Sequence, residues 1–462
     1  TEGPTFSSTT IALFDCNEPG SSTWIDLIAE SVHSVELNGR ALDVSDVVDG
    51  ARIRLDGLES TNTVRIAADC VYMNTGEGLH RFVDPVDKET YLYTQFESAD
   101  SRRMYACFEQ PALKATFQLT VRAPRHWEVV SNAPTPEPVD HADGTATWSF
   151  QPSARISTYI TALVAGPYHH VHDSYTGEFG TYPFGIYCRA SLAEHLDSDD
   201  IFNVTKQGFA FFESRFGVGY PFGKYDQLFV PEFNAGAMEN AGCVTHHEDF
   251  VFRSRVTDAA YEQRSNTILH ELAHMWFGDL VTMRWWNGIW LNEAFASLME
   301  TLAMDDWRPD WELWNQFSRS RSVALEVDAL SSTRAIEYPV ESPDDSQDMF
   351  DVLTYTKGQS VLRMLERYLG DGFRDGIRAY LAEHAYGNTE TVDLWNAIGA
   401  ASGEDVASIM EPWIFRGGFP MLDAVEDGGD VRITSKRFRL GEGSDEAPWQ
   451  VPFFVRVGDR TD

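Results

Sequence analysis

The run Leu269-His270-Glu271-Leu272-Ala273-His274-Met275-Trp276, followed by Trp290-Leu291-Asn292-Glu293, decides how the rest of the chain is read. It holds an H-E-x-x-H pattern, and Glu293 lies 18 intervening residues beyond the second histidine. Each residue of an α-helix advances about 100°, so His270 and His274 lie about 40° apart around the axis. Glu271 falls about 100° from His270, which puts all three side chains on one face. Such a face presents two imidazoles to a single Zn²⁺ and sets a carboxylate beside it. Glu293 adds a third ligand, giving a His₂Glu set with a fourth position open. The spacing predicts a helix over 257–277, with Thr257-Asp258 as its N-cap and Gly278 as its C-cap.

Outward from this helix the pattern splits in two. Residues before about 170 alternate apolar and polar in short runs such as Thr23-Ile25-Leu27, Ile53-Leu55 and Val64-Ile66-Ala68. Asn38-Gly39, Asp49-Gly50 and Asp143-Gly144 mark turns between such runs, so one mostly antiparallel β domain is expected over 1–170. From 171 to 420 helical periodicity dominates, at 201–216, 290–304, 311–325, 356–369, 373–385 and 391–401. One strand-like piece, Gln227-Leu228-Phe229-Val230, interrupts it and runs into Asn234 to Asn240. A strand edge there is suited to align an extended peptide through backbone hydrogen bonds. Strands return at 431–433, 437–439 and 451–455, too few to bury a core of their own.

Composition narrows the partners. The 462 residues carry 71 acidic and 36 basic side chains, a formal charge of −35, which argues against nucleic acid and anionic membranes. Five widely spaced cysteines with no C-x-x-C fit reduced thiols in a cytoplasm. No run reaches the ~20 apolar residues of a membrane span, and the opening Thr1-Glu2-Gly3-Pro4 shows no basic n-region or apolar h-region. The adjacent pair His246 and His247 does not suggest a second metal site, because neighbours on a strand point apart.

Gly236-Ala237-Met238-Glu239-Asn240, taken with His270-Glu271-x-x-His274 and Glu293, resembles the aminopeptidase N family of zinc metallopeptidases. The likeness extends to Tyr93-Thr94-Gln95-Phe96-Glu97, to Trp276-Phe277-Gly278-Asp279-Leu280, and to Tyr355-Thr356-Lys357-Gly358. It implies an α+β multidomain fold: an N-terminal antiparallel β saddle, a mainly helical thermolysin-like catalytic domain, and a small β-sandwich beginning at 421–462. It also implies a C-terminal helical domain, which this chain is expected to lack. The implied activity is hydrolysis of the N-terminal residue from peptides with a free amine, with one Zn²⁺ held by His270, His274 and Glu293. Glu271 is read as general base. The resemblance gives Tyr355 the hydrogen bond to the oxyanion and puts Glu239 and Glu97 on the substrate ammonium. It assigns Gln95 to the pocket for the first side chain, and Ala237 and Met238 to backbone contacts with substrate. Gly288 and Ala294 depart from the family's common Asp and Gly, and are expected to affect packing rather than zinc binding. Two other readings stand beside this one. A relative of the leukotriene A4 hydrolase type would also open an epoxide, but nothing marks a lipid tunnel. A silent zinc-stabilised scaffold would have no need of Glu271 and Tyr355.

Overall fold

A computed structural model describes residues 3–441, 449–454, 456–457 and 460–461. The chain divides into two compact units, one of Thr1–Tyr175, Thr181–Phe202 and Phe222–Asp258, the other of Thr176–Gly180, Asn203–Pro221 and Ala259–Asp462.

The first unit is built of β-sheets. Strand Thr61–Val71 pairs antiparallel with Thr5–Asp15 on one side and Ser31–Leu37 on the other. Its Val64, Ile66, Ala68 and Cys70 are buried while Thr63 and Arg65 are exposed, the period-two pattern of a sheet with one face on a core. That core is shared with Ile25, Leu27, Ile53 and Leu55, from and beside strands Ser22–Asp26 and Arg52–Asp56 of a second sheet. A further four-stranded sheet runs in the order Glu128–Ser131, Leu163–Gly166, Thr90–Gln95, Gly78–Val83. It contributes Leu79, Leu92, Val129 and Leu163 to a separate core with Trp127, Trp148 and Phe150. Every pairing resolved up to residue 166 between named strands is antiparallel, as the alternation predicts.

The same unit also holds a mixed five-stranded sheet, ordered Tyr168–Thr176, Thr181–Arg189, Tyr225–Val230, Cys243–His247, Ala237–Met238. Its three central strands are parallel. Tyr225–Val230 is buried at every residue, so it shows no alternation, and only its segment 227–230 is legible in the sequence. Ala237–Met238 forms the edge of this sheet, antiparallel to Cys243–His247.

The second unit is helical. Asp258–His274, Trp290–Trp307, Leu313–Asp328, Gly358–Leu369, Asp371–His384 and Thr391–Ser402 fall close to the expected periods. Helix Val406–Ile414 was not expected, and the Pro412 inside it explains why the sequence pattern is broken there. The strands expected at 431–433 and 437–439 merge into Asp430–Phe438, which pairs with Phe419–Asp427 across a Gly428-Gly429 turn. Residues 451–454 form no strand; Pro452 cannot donate to a ladder, and Val455 lies outside the described residues. Among the described residues no helix is long and apolar enough to cross a membrane.

Candidate metal centre

Helix Asp258–His274 is fixed in the second unit through Ile268, Leu269, Leu272 and Ala273, all buried. Gly208, on helix Ser198–Phe216, lets the two helices approach closely. A Cβ at that position would come within 2.4 Å of Leu269 Cδ2 and 2.7 Å of Leu272 Cδ2. The helix ends at His274, three residues earlier than the periodicity suggests, so Gly278 is not its immediate cap. The N–H groups of Asp279, Leu280 and Val281 bond back to the carbonyls of His274, Met275 and Trp276. In this turn the Phe277 carbonyl accepts from His274 Nδ1 at 2.9 Å. Gly278 sits at φ +127°, and a Cβ there would lie 3.3 Å from His274 Nδ1, so only glycine suits the position.

Helix Trp290–Trp307 supplies the carboxylates. Residues 290–299 are buried on every side, which marks a central helix rather than an amphipathic surface one. Glu293 and Glu300 are seven residues apart and therefore share a face about 10 Å long. The His270 ring lies against both: Nδ1 is 2.7 Å from Glu300 Oε2, and Nε2 is 3.2 Å from Glu293 Oε2. Sequence reasoning missed Glu300, although its seven-residue spacing from Glu293 was available as a signal.

These contacts set which nitrogen of each ring is turned inward. A backbone carbonyl only accepts, so His274 carries a proton on Nδ1 and turns Nε2 inward. The Glu300 carboxylate likewise takes the Nδ1 proton of His270 in the neutral ring. The two Nε2 atoms are 3.0 Å apart, and Glu293 Oε2 lies 3.2 Å from one and 3.4 Å from the other. Ligands at about 2.0–2.1 Å from a tetrahedral zinc are about 3.3–3.4 Å from each other. Two Nε2 atoms and one carboxylate oxygen therefore converge with nearly the edge lengths of a zinc tetrahedron. The donor set fits Zn²⁺ in both chemistry and spacing, and carries an outer layer that holds each ring in place.

Around this cluster, a carboxylate oxygen of buried Glu271 lies within 4.8 Å of a His274 ring nitrogen. The Tyr355 ring stacks near His270, with centroids 6.1 Å apart and planes at 21°. Tyr355 belongs to a π-helical turn, Leu353–Lys357, that leads into helix Gly358–Leu369.

The first unit gathers the other residues singled out in the sequence. Gln95 ends strand Thr90–Gln95, and its Nε2 donates to Met238 Sδ at 3.4 Å. Glu97 follows two residues later, and one of its carboxylate oxygens lies within 4.8 Å of one from buried Glu239. Two charges at that separation repel by about 3.5 kcal/mol at an effective dielectric of about 20, so the pair favours a cation beside it. Ala237 and Met238 pair with His246 and Thr245, leaving the other side of their strand as the sheet edge. His246 is buried against Phe229, whereas the His247 ring turns to the Asp249 N–H, so the two rings part as expected of strand neighbours.

Two family models match the chain: "Peptidase M1 N-terminal domain" over residues 30–160 and "Peptidase family M1 domain" over residues 201–413. Aminopeptidase N of Streptomyces lividans is 50% identical over 470 aligned residues, covering 99% of this chain and 54% of that protein. Tricorn protease-interacting factor F2 of Thermoplasma volcanium is 38% identical over 369 residues, 79% of this chain and 46% of that protein. Aminopeptidase M1 of Arabidopsis thaliana is 37% identical over 376, 80% of this chain and 42% of its own length. The chain thus spans about half the length of these curated relatives.

Proposed function

Since the chain belongs to the peptidase M1 family, we propose that it is a zinc-dependent aminopeptidase that removes the N-terminal residue from peptides. The observation that carries this reading is the convergence of His270 Nε2, His274 Nε2 and Glu293 Oε2 at nearly tetrahedral spacing. When bound there, Zn²⁺ supplies Lewis-acid polarisation of the scissile carbonyl and a water nucleophilic at neutral pH.

The protein's own residues do the rest. Glu271 takes the proton of the attacking water and passes it to the leaving amine. Tyr355 donates a hydrogen bond to the oxyanion as it develops. Glu239 and Glu97 hold the substrate ammonium by charge-assisted hydrogen bonds, which excludes a blocked terminus. Gln95 lines the pocket for the first side chain, and the Ala237–Met238 edge pairs with the peptide backbone. We divide the chain into an N-terminal β domain over 1–170, a catalytic domain over 171–420 and a partial β-sandwich over 421–462. Five unpaired cysteines support a reducing, cytoplasmic setting, and the charge of −35 disfavours nucleic acid and anionic membranes as partners.

The test is turnover of a free aminoacyl-arylamide beside its N-acetylated form, with Zn²⁺ and with chelator. Cleavage of the free form alone, abolished by chelation, is expected. Equal turnover of both forms defeats the amine anchor, and chelator-resistant cleavage defeats the metal.

A further inference from the structure

Lys357 and Gly358 stand in the same sequence motif as Tyr355, yet the reaction proposed above leaves them without a task. Lys357 is buried, at 2% exposure. Its Nζ lies 2.9 Å from Asp328 Oδ2, 3.1 Å from the Gly418 carbonyl and 3.4 Å from the Arg416 carbonyl. The ammonium thus donates to the two carbonyls of one segment and is charge-paired with the Asp328 carboxylate of another. Asp328, at the end of helix Leu313–Asp328, is equally enclosed. Its Oδ1 accepts from the Gly418 N–H at 2.7 Å and from Thr333 Oγ1 at 2.7 Å.

The other end of the π-helical turn is held as firmly. Asp351 Oδ1 accepts from the N–H groups of Leu353 and Thr354 at 2.8 and 3.1 Å. Arg334 Nη2 donates to that same oxygen at 2.7 Å and to Thr354 Oγ1 at 3.0 Å. Between these clamps the Lys357 N–H bonds to the Val352 carbonyl at 2.9 Å, five residues back, so one extra residue is accommodated in the turn. Such turns are less favourable than α-helix and persist where side chains hold them. Tyr355 lies inside this one, two residues before Lys357.

We propose that Lys357 is a positioning residue for Tyr355: its ion pair with Asp328 and its hydrogen bonds to the Arg416 and Gly418 carbonyls tie the π-helical turn to helix Leu313–Asp328 and to residues 416–418, just before the hairpin that starts at Phe419. The phenol's place is thus set from that loop. This rests on the role proposed for Tyr355.

The experiment compares Lys357→Met, the neutral pair Lys357→Met/Asp328→Asn, Tyr355→Phe and Tyr355→Phe/Lys357→Met in the zinc-loaded protein. The neutral pair guards against misfolding, because a buried ion pair replaced on both sides is often tolerated where a half-broken one is not. The amide introduced by Asp328→Asn keeps an acceptor for Gly418 and Thr333. Expected is a kcat loss of about 10- to 100-fold with KM nearly unchanged, the size of effect that a displaced catalytic group produces. On the Tyr355→Phe background the same substitution should cost almost nothing further. Amide exchange of residues 351–358 in the metal-free protein should accelerate, a readout independent of turnover. An unchanged kcat in the neutral pair, unchanged exchange, or a loss that simply multiplies with that of Tyr355→Phe would overturn the proposal. If Tyr355→Phe alone retains its kcat, the role of the phenol fails instead.

Discussion

The His270–His274–Glu293 cluster and the Lys357–Asp328 pair both bury nitrogen bases against carboxylates in the same unit, and they end in opposite states. At Lys357 the ammonium donates to two carbonyls and lies against one carboxylate, so the charges of the grouping balance as protein. At the histidines each Nδ1 is turned outward, to Phe277 and Glu300, and both Nε2 atoms face inward beside the Glu293 carboxylate. That cluster is complete only with a cation. What separates a metal site from a structural ion pair here is the way the nitrogens face, not the residue types.

The contrast can be broken at the histidine cluster first. Glu271→Ala should lower kcat by about 10²–10⁴ while zinc, measured by metal analysis, stays bound. Loss of the metal together with activity would move Glu271 from proton carrier to structural support. A smaller effect is expected at the outer layer. Glu300→Ala frees the His270 ring and should weaken zinc affinity about 10- to 100-fold in a chelator competition, whereas neutralising Lys357 and Asp328 together should leave that affinity alone. Equal effects of the two changes would erase the distinction between the clusters.

Proton competition sharpens the same point. In the metal-free protein burial alone would lower the His270 pKa, but the carboxylates of Glu293 and Glu300 outweigh it and hold it well above the usual histidine value. Burial likewise pushes Glu293 upward, and the neighbouring His274 and His270 more than reverse this, bringing it to about 2. The raised His270 therefore stabilises the metal-free fold below histidine's ordinary 6.5 and loses that contribution as pH climbs through its raised value. Glu293 contributes above a carboxyl's ordinary 4.5 and loses its part as pH falls toward about 2. Zinc must displace the His270 proton, so the gain in Tm on adding zinc should be larger at about pH 9 than at about pH 6. A gain that shrinks over that interval would contradict the assignment of His270 as a ligand.

The two clusters also differ in how far they could be read from the sequence. His270, Glu271 and His274 share one turn of helix, so their geometry follows from four residues of spacing, and the antiparallel strands before residue 166 follow from alternation. Glu300 was within reach by the same helical arithmetic. Lys357 and Asp328 were not: they stand 29 positions apart on different elements, and no local period announces a long-range ion pair. The parallel strands Thr181–Arg189 and Cys243–His247 escaped for a related reason, since the residues that pattern them lie on neighbouring strands. Where helix Asp258–His274 stops depends on backbone bonds from residues 279–281, a tertiary turn rather than a cap signal.

The smallest effect concerns the contact that joins the two clusters. Ala294 follows Glu293 on the central helix, and a Cβ built on Gly358 would lie 2.6 Å from the Ala294 Cβ. The Tyr355 turn and the Glu293 helix therefore meet through one methyl and one missing methyl, a packing match that accommodates Ala294. Gly358→Ala overfills that contact and should destabilise the fold by about 1–3 kcal/mol, read as a fall in Tm. Ala294→Gly alone costs about 1 kcal/mol of helix propensity, but added to Gly358→Ala it removes the clash and should recover part of the loss. Zinc affinity should hold in both, because neither side chain touches the donor atoms. Strict additivity of the two changes would show that the helices shift apart instead, and would uncouple Ala294 from the Tyr355 turn.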